Sequence, residues 1–303
     1  MSARIRAAWL YHGRGMTQRE VAEAMGVSRA TVIRQLDEAM RQGEVQVWIG
    51  GEGSGPVGLA VELEAAFGLS EAIVAPEGPD PAEAVGAALG RLLSGALADG
   101  MVVGTGWGRV LKAALGHVEP QRREGMQVVS LMGGLVEFGA ANPAEFAWRL
   151  AGLTGARCHL MLAPLIVDSA DTRLRLLEHS GLGRVMEMAG RLDLAVMGCG
   201  DPLSLGGSLA TDRLAPGIRA ELAVQGAVAD VMCHFLDAAG REVDHSLRGR
   251  LMAAELELVA RAGHVVLAAG GAARAPAIRA ALRRFPGAVL VTDEGAARAL
   301  LAG

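Results

Sequence analysis

Lysine is almost missing from this chain: Lys112 is the single one, and the other cationic side chains are arginines. We read this as a bias of composition. It also leaves little room for chemistry built on a lysine amine, because Lys112 belongs to no loop motif. Cysteine is scarce too. Cys158, Cys199 and Cys233 are scattered, at spacings that fit neither a disulfide framework nor a zinc knuckle. A reducing cytoplasm is therefore the expected location, with no metal and no cofactor. Long apolar runs are absent as well. No stretch of about 18 residues lacks a charge or a Gly/Pro break, so no membrane span is expected. The opening residues, MSARIRAAWLYHGRG, have no long apolar core before a small-residue cleavage site, so no secretory leader is expected. No solenoid period is found.

The chain does have enough apolar residues for a large core: 51% of its 303 residues are hydrophobic and 20% are charged. The net charge of −4 argues against a general nucleic-acid coat. The charge is uneven, however. Residues 1–50 hold seven arginines against five acids, +2, which leaves −6 for the remainder. A slightly basic head on an acidic body suits a DNA reader whose body stays off the DNA.

The seam between the two is GGEGSGPVG, residues 50–58, with five glycines in nine residues. Such a stretch is expected to sustain neither helix nor strand. The expected organisation is a head over 1–50, a Gly-rich linker over 51–58 and a body over 59–303. In the body, short β-rich runs (72–75, 101–104, 128–132, 158–167, 194–198, 264–270 and 288–292) alternate with helical stretches (81–98, 143–153 and 251–262). Near-continuous apolar strands alternating with helices predict an α/β fold, a doubly wound parallel sheet covered on both faces.

In the head, residues 5–40 read as three helices. Thr17 and Glu20 form a capping-box pair for the second, and Met25 and Gly26 close it. Ser28 caps the third. Val21, Ala22, Met25, Val27, Val32, Ile33 and Leu36 form the apolar set that locks one helix across the other, the helix-turn-helix pattern. The outer face of the third helix then presents Arg29, Thr31, Arg34 and Gln35. Arginine pairs with guanine and glutamine with adenine in the major groove. Gln18, Arg19 and Ser28 are candidates for phosphates, because helix N-termini attract anions. Residues 44–49, EVQVWI, read as a strand closing the unit.

The segment GMTQREVAEAMGVSRATVIRQLDEAMRQGEVQVWI resembles the N-terminus of SorC-type sugar-binding transcriptional regulators, relatives of the DeoR-type repressors. The resemblance continues through VVGTGWGRVL (102–111), VVSLMGGL (128–135), AVMGCG (195–200), GAVADVMCHFLDAAGREVDHSL (226–247), VVLAAGGAARAPAI (265–278) and VLVTDEGAARALL (289–301). It implies an effector domain with the fold of sugar-phosphate isomerases and deaminases. It also implies homo-oligomers, dimers or tetramers, that bind operator DNA of carbohydrate genes.

The candidate effector site is a set of Gly-rich turns at strand ends, where doubly wound sheets bind ligands. Gly104, Thr105, Gly106, Trp107, Gly108 and Arg109 follow one strand and open a helix, a turn that can bring backbone N–H groups to an anion. The resemblance implies that this loop cradles the effector, with a hydroxyl from Thr105, an apolar wall from Trp107 and a fixed charge from Arg109. Val110 stands where many relatives carry Thr or Ser, which favours an unphosphorylated sugar or polyol over a phosphate. Gly133 and Gly134, Gly198, Cys199 and Gly200, and Gly270 with Gly271 are expected to rim the same pocket. The resemblance adds Asp230 as an acceptor for sugar hydroxyls, and Arg274 where relatives commonly carry lysine.

The expected function is ligand-controlled transcription regulation, with a sugar, polyol or sugar phosphate as effector and no catalysis. The alternative is an isomerase or deaminase acting on a sugar phosphate. It needs an acid and a base beside the substrate, and no carboxylate–histidine pair appears in the glycine loops. It also leaves the head without a role.

Overall fold

A computed structural model of the chain describes residues 2–42, 44–45, 55–135, 142–203 and 217–303. Its contacts divide into two compact units, Met1–Gly53 and Ser54–Gly303.

The first unit is helical. Helix α1 (Ala3–Ala8) widens into a π-helical turn over Trp9–Gly13, and α2 (Gln18–Met25) and α3 (Arg29–Arg41) follow. The local chemistry explains the boundaries. The Thr17 hydroxyl accepts the Glu20 N–H while the Glu20 carboxylate accepts the Thr17 N–H at 2.7 Å, so two orphan donors of α2 are met reciprocally. Gly26 ends α2 in the left-handed region, at φ 66°. Ser28 then caps α3 by accepting the Thr31 N–H at 3.1 Å. Ala7, Ala8, Val21, Ala22, Val32, Leu36 and Ala39 make the core. Ile33, expected inside, is 38% exposed, while Ala7 and Ala8 of α1 are in the core. The strand expected at 44–49 lies, beyond Val45, outside the described residues.

The second unit opens with α4 (Pro56–Phe67), so the expected linker over 51–58 is corrected at its end. Pro56 stands in the first turn of the helix, where its missing N–H costs nothing and its fixed φ is already helical. Residues 51–54 lie outside the described residues. Seven parallel strands follow: β1 (Glu71–Ala75), β2 (Val102–Thr105), β3 (Gln127–Ser130), β4 (Arg157–His159), β5 (Leu194–Gly198) and, after a small antiparallel hairpin of β6 (Ala229–Val231) and β7 (His234–Leu236), β8 (His264–Ala268) and β9 (Val289–Asp293). The sheet order is β1-β9-β8-β5-β2-β3-β4. Alternate residues feed two cores: Leu194, Val196, Val289 and Val291 enter one, and Ala195, Met197 and Leu290 the other. This is the doubly wound sheet the apolar runs predict.

Two expected elements differ. Of the helix expected over 251–262, only Leu256–Val259 is α-helical. Residues 251–254 run extended, bridging Met132 to Ala253 and Ile166 to Leu251; the Gly133 N–H donates to the Met252 carbonyl, and the Met252 and Ala254 N–H groups donate to the Leu165 and Leu131 carbonyls. The long strand expected over 158–167 is likewise confined to Arg157–His159, and its remainder serves these bridges.

The sheet centre positions the site. Strands β2 and β5 are neighbours, yet the chain leaves β2 toward β3 and leaves β5 toward β8, so their carboxyl ends flank a topological switch point. The turn after β2 is held by α5 (Pro81–Ala96) packed on α6 (Arg109–Ala114). On α5, Gly86 and Gly90 lie one turn apart against α6: a Cβ at Gly86 would stand 2.5 Å from the Ala113 Cβ, and at Gly90 2.7 Å from the Ala114 carbonyl oxygen. Gly90→Val should therefore lower stability by about 1–3 kcal/mol or more through overpacking, read as a fall in Tm. An unchanged Tm would show that the two helices part without cost.

Candidate functional site

In the first unit, Arg19, Ser28, Arg29 and Arg34 are exposed, while Gln18, Thr31 and Gln35 are half-buried. The hydroxyls of Ser28 and Thr31 lie 2.9 Å apart and are committed to one another. Arg29 donates through Nε to Gln18 Oε1 at 3.2 Å, which ties the N-terminal turns of α2 and α3 together. Arg34 is the long cationic side chain exposed in the middle of α3. The expectation that Gln35 is freely exposed is corrected, since its Oε1 is buried without a partner.

In the second unit, all seven strands of the main sheet are parallel, so the turns after β2, β3, β5 and β8 share one edge. The structure brings four of the expected segments into contact. The Gly106 N–H donates to the Val196 carbonyl at 2.8 Å, and a Cβ at Gly198 would stand 3.0 Å from the Trp107 carbonyl oxygen. Gly200 and Asp230 exchange both backbone hydrogen bonds, at 3.0 and 2.8 Å, so the hairpin extends the turn after β5. The charges of Arg274 and Asp230 both reach Cys199. Gly270, Gly271 and Arg274 form the turn after β8, where Arg274 donates to the Gly270 carbonyl at 2.5 Å and Asp293 accepts the Gly271 N–H at 2.9 Å. Gly133 and Gly134 stand across β2 from this cluster: the Gly133 N–H donates to the Met252 carbonyl, and Gly134 pairs with Ala163 and Leu165.

Several expected roles change. The Thr105 hydroxyl is fully buried and donates to the Val129 carbonyl at 3.3 Å, so it is spent inside the sheet. Gly104 leaves room for core packing, since a Cβ there would lie 2.5 Å from the Leu192 Cδ1. Gly270 likewise faces Val85 at 2.7 Å. Trp107 is only 5% exposed and forms part of the core floor beneath the turn. Gly108 stands at φ 132°, and Arg109 is exposed at the start of a six-residue helix whose dipole is correspondingly small.

The electrostatics single out Asp230. Burial pushes its carboxyl up to about 6, against the downward pull of the Cys233 N–H it accepts at 2.8 Å and of nearby His234. Burial also pushes the Cys199 thiol up to about 12 and the Cys233 thiol well above its usual range, so both are neutral. His234 bridges Glu242, at 3.3 Å, and the Ala254 carbonyl, at 3.0 Å, and so fastens the hairpin to the extended segment. Its hydrogen bond holds the Glu242 carboxyl below the usual range.

Sequence reasoning missed the tip of that hairpin. Met232 and Cys233 sit at φ 53° and 65°, in the left-handed region that glycine and asparagine favour. The Met232 side chain lies against Gly106, where a Cβ would meet its Cγ at 3.3 Å. No turn residue marks the place in ADVMCHFL. The only sequence signal was Asp230 itself, whose carboxylate holds the tip by its third following N–H.

A helix-turn-helix unit followed by a doubly wound unit with its polar cluster at the switch point defines a ligand-responsive DNA-binding protein. Comparison with known proteins agrees. Residues 53–302 match the family model described as "Putative sugar-binding domain" and residues 1–48 that of a homeodomain-like domain. The chain is 33% identical to the erythritol catabolism regulatory protein EryD of Brucella abortus over 99% of its own length and 96% of that protein. It is 31% identical to the transcriptional regulator LsrR of Klebsiella pneumoniae, covering 98% and 92%. It superposes on the full-length sorbitol operon regulator SorC of Klebsiella pneumoniae with a TM-score of 0.78 at 24% identity, over 98% of each chain. The chain belongs to the SorC-type sugar-binding transcriptional regulators. Among the described residues no helix is long and apolar enough to cross a membrane.

Proposed function

We infer that this regulator reads an operator through α3 and is controlled by a small polyhydroxy effector bound at the switch point between β2 and β5. The observation that carries the effector class is Asp230. A buried carboxyl with one backbone donor, whose charge and that of the half-buried Arg274 both act on Cys199, suits a ligand that offers several hydroxyls. Arg274 spends one donor on Gly270, Thr105 is turned inward, and Val110 adds no hydroxyl, so little is left to surround a phosphate. The name of the erythritol regulator, with its 33% identity, supports a polyol. The relatives are named as regulators, which supports regulation over catalysis.

In this reading the exposed Arg29 and Arg34 meet base edges, and the exposed Arg19 meets a phosphate. One small head contacts few base pairs, so tight operator binding calls for a homo-oligomer on a two-fold site. The effector acts by favouring one arrangement of the assembled bodies, with a coupling of about 1–3 kcal/mol.

The test is a thermal-shift screen of four- to six-carbon polyols, free sugars and their phosphates, followed by operator titrations with the best hit. A neutral polyol should raise Tm in the wild type and in Arg109→Ala, and fail in Arg274→Ala. Hits confined to phosphate esters, abolished by Arg109→Ala, would overturn the polyol reading. A full response surviving in Arg274→Ala would move the site elsewhere.

A further inference from the structure

The first nineteen residues contain Arg4, Arg6, Arg14, Arg19 and His12 and no acid; the first carboxylate in the chain is Glu20. Two of these arginines are engaged. Arg4 makes a two-pronged pair with Glu44, at 2.8 and 3.0 Å, and Arg19 lies 3.7 Å from Glu23. Glu20 is tied to the Thr17 N–H and hydroxyl, at 2.7 and 2.8 Å. Arg14 is held differently. Its guanidinium sits over the Trp9 ring, 5.1 Å from the centroid.

The π-helical turn makes that pairing. By widening the helix over Trp9–Gly13 it sets Arg14 back above Trp9, and Gly13 lies so close under the ring that a Cβ there would stand 3.3 Å from it. Trp9 remains 55% exposed, the largest exposed apolar side chain among the described residues of a unit whose core is mostly alanine and valine. Single π-helical turns inside helices recur at functional sites. Here the turn ends beside the N-termini of α2 and α3. Tyr11, Gly15, Thr17, Arg19 and Arg29 line one shallow pocket of about 560 Å³. Tyr11 thus joins the acid-free turn to the end of α3 that carries Arg29, while Trp9 and Arg14 stand outside that lining.

We propose that the Trp9–Arg14 pair is a second DNA contact of the head, in which Arg14 clamps a backbone phosphate flanking the bases read by α3. This rests on the DNA-reading role of α3. The stacked guanidinium keeps its planar fork free for two phosphate oxygens, with little side-chain freedom left to lose. The exposed Trp9 ring then packs against the neighbouring sugar. The pair carries no base information, so its contribution is the same on every sequence.

The experiment uses the full chain and a labelled duplex of about 30 base pairs of arbitrary sequence, titrated between about 50 and 200 mM potassium chloride. Arg14→Gln should weaken binding several-fold, up to about tenfold, and reduce the slope of log affinity against log salt by about 0.9. Trp9→Ala should weaken binding in the same direction, and Trp9→Phe should restore most of it. Thermal melting of Arg14→Gln should match the wild type, which separates a lost contact from a lost fold. An unchanged slope and affinity in Arg14→Gln would overturn the proposal. So would weaker binding at an unchanged slope with altered concentration dependence, which would assign Trp9 to a contact between two heads. If the wild type fails to bind the duplex at the lowest salt, the DNA-reading role itself falls, and this contact with it.

Discussion

Replacing Asp230 by asparagine should make the protein more stable at about pH 8 by up to about 3 kcal/mol while abolishing its response to the effector. The sign follows from the carboxyl being pushed up to about 6 by burial. Below about pH 4 the group is protonated both folded and unfolded, and costs nothing. As pH rises, the unfolded chain releases its proton first, so the wild type loses stability until the folded carboxyl ionises near 6, and the loss is complete above that. The asparagine variant carries no such charge. Its Tm should exceed that of the wild type at pH 8, and the gap should close toward pH 4. Because the amide oxygen still accepts the Cys233 N–H, the hairpin keeps its shape. Equal Tm values at pH 8 would mean that the carboxylate is better solvated than its burial implies. A more stable Asp230→Asn protein that no longer answers to the effector would show a trade between stability and function at this site.

The second large effect concerns α3. Arg34→Ala should reduce affinity for a selected operator by about 5- to 150-fold, about 1–3 kcal/mol, if Arg34 takes both acceptors of a guanine. Arg29→Ala should cost less specificity, because its Nε is already committed to Gln18. The measurement is competition between the selected operator and single-base variants. Arg34→Ala should flatten discrimination at one base pair and leave the others intact. Unaltered discrimination at every position would remove Arg34 from base reading.

The head was legible because its signals are local. The Thr17–Glu20 box, Gly26 and the Ser28 cap lie within a dozen residues of what they organise. The strands of the body were legible as apolar runs, and their parallel course gathered the turns on one edge. What was not legible depends on partners far away in sequence. The left-handed tip at Met232 and Cys233 packs on Gly106, more than a hundred residues earlier. The extended course of 251–254 is dictated by open ladder positions at 131–134 and 164–167, which outweighed an apolar spacing that also suits a helix. Thr105 and Gly104 looked like ligand contacts, and only their neighbours Val129 and Leu192 show that the sheet uses them.

The order of the sheet also sets a timetable for synthesis. Strand β1 has one neighbour, β9, which is the last strand to be made. Until Val289–Asp293 and the closing helix Glu294–Leu301 leave the ribosome, β1 and α4 have nothing to pack against on that side. Among the described residues the core of the head runs to Ala39, with Val45 packed against it. Each new molecule therefore owns a finished DNA reader for most of its synthesis, well before it owns a finished sensor. A product cut short before Val289 would keep the reader and lose the means of control.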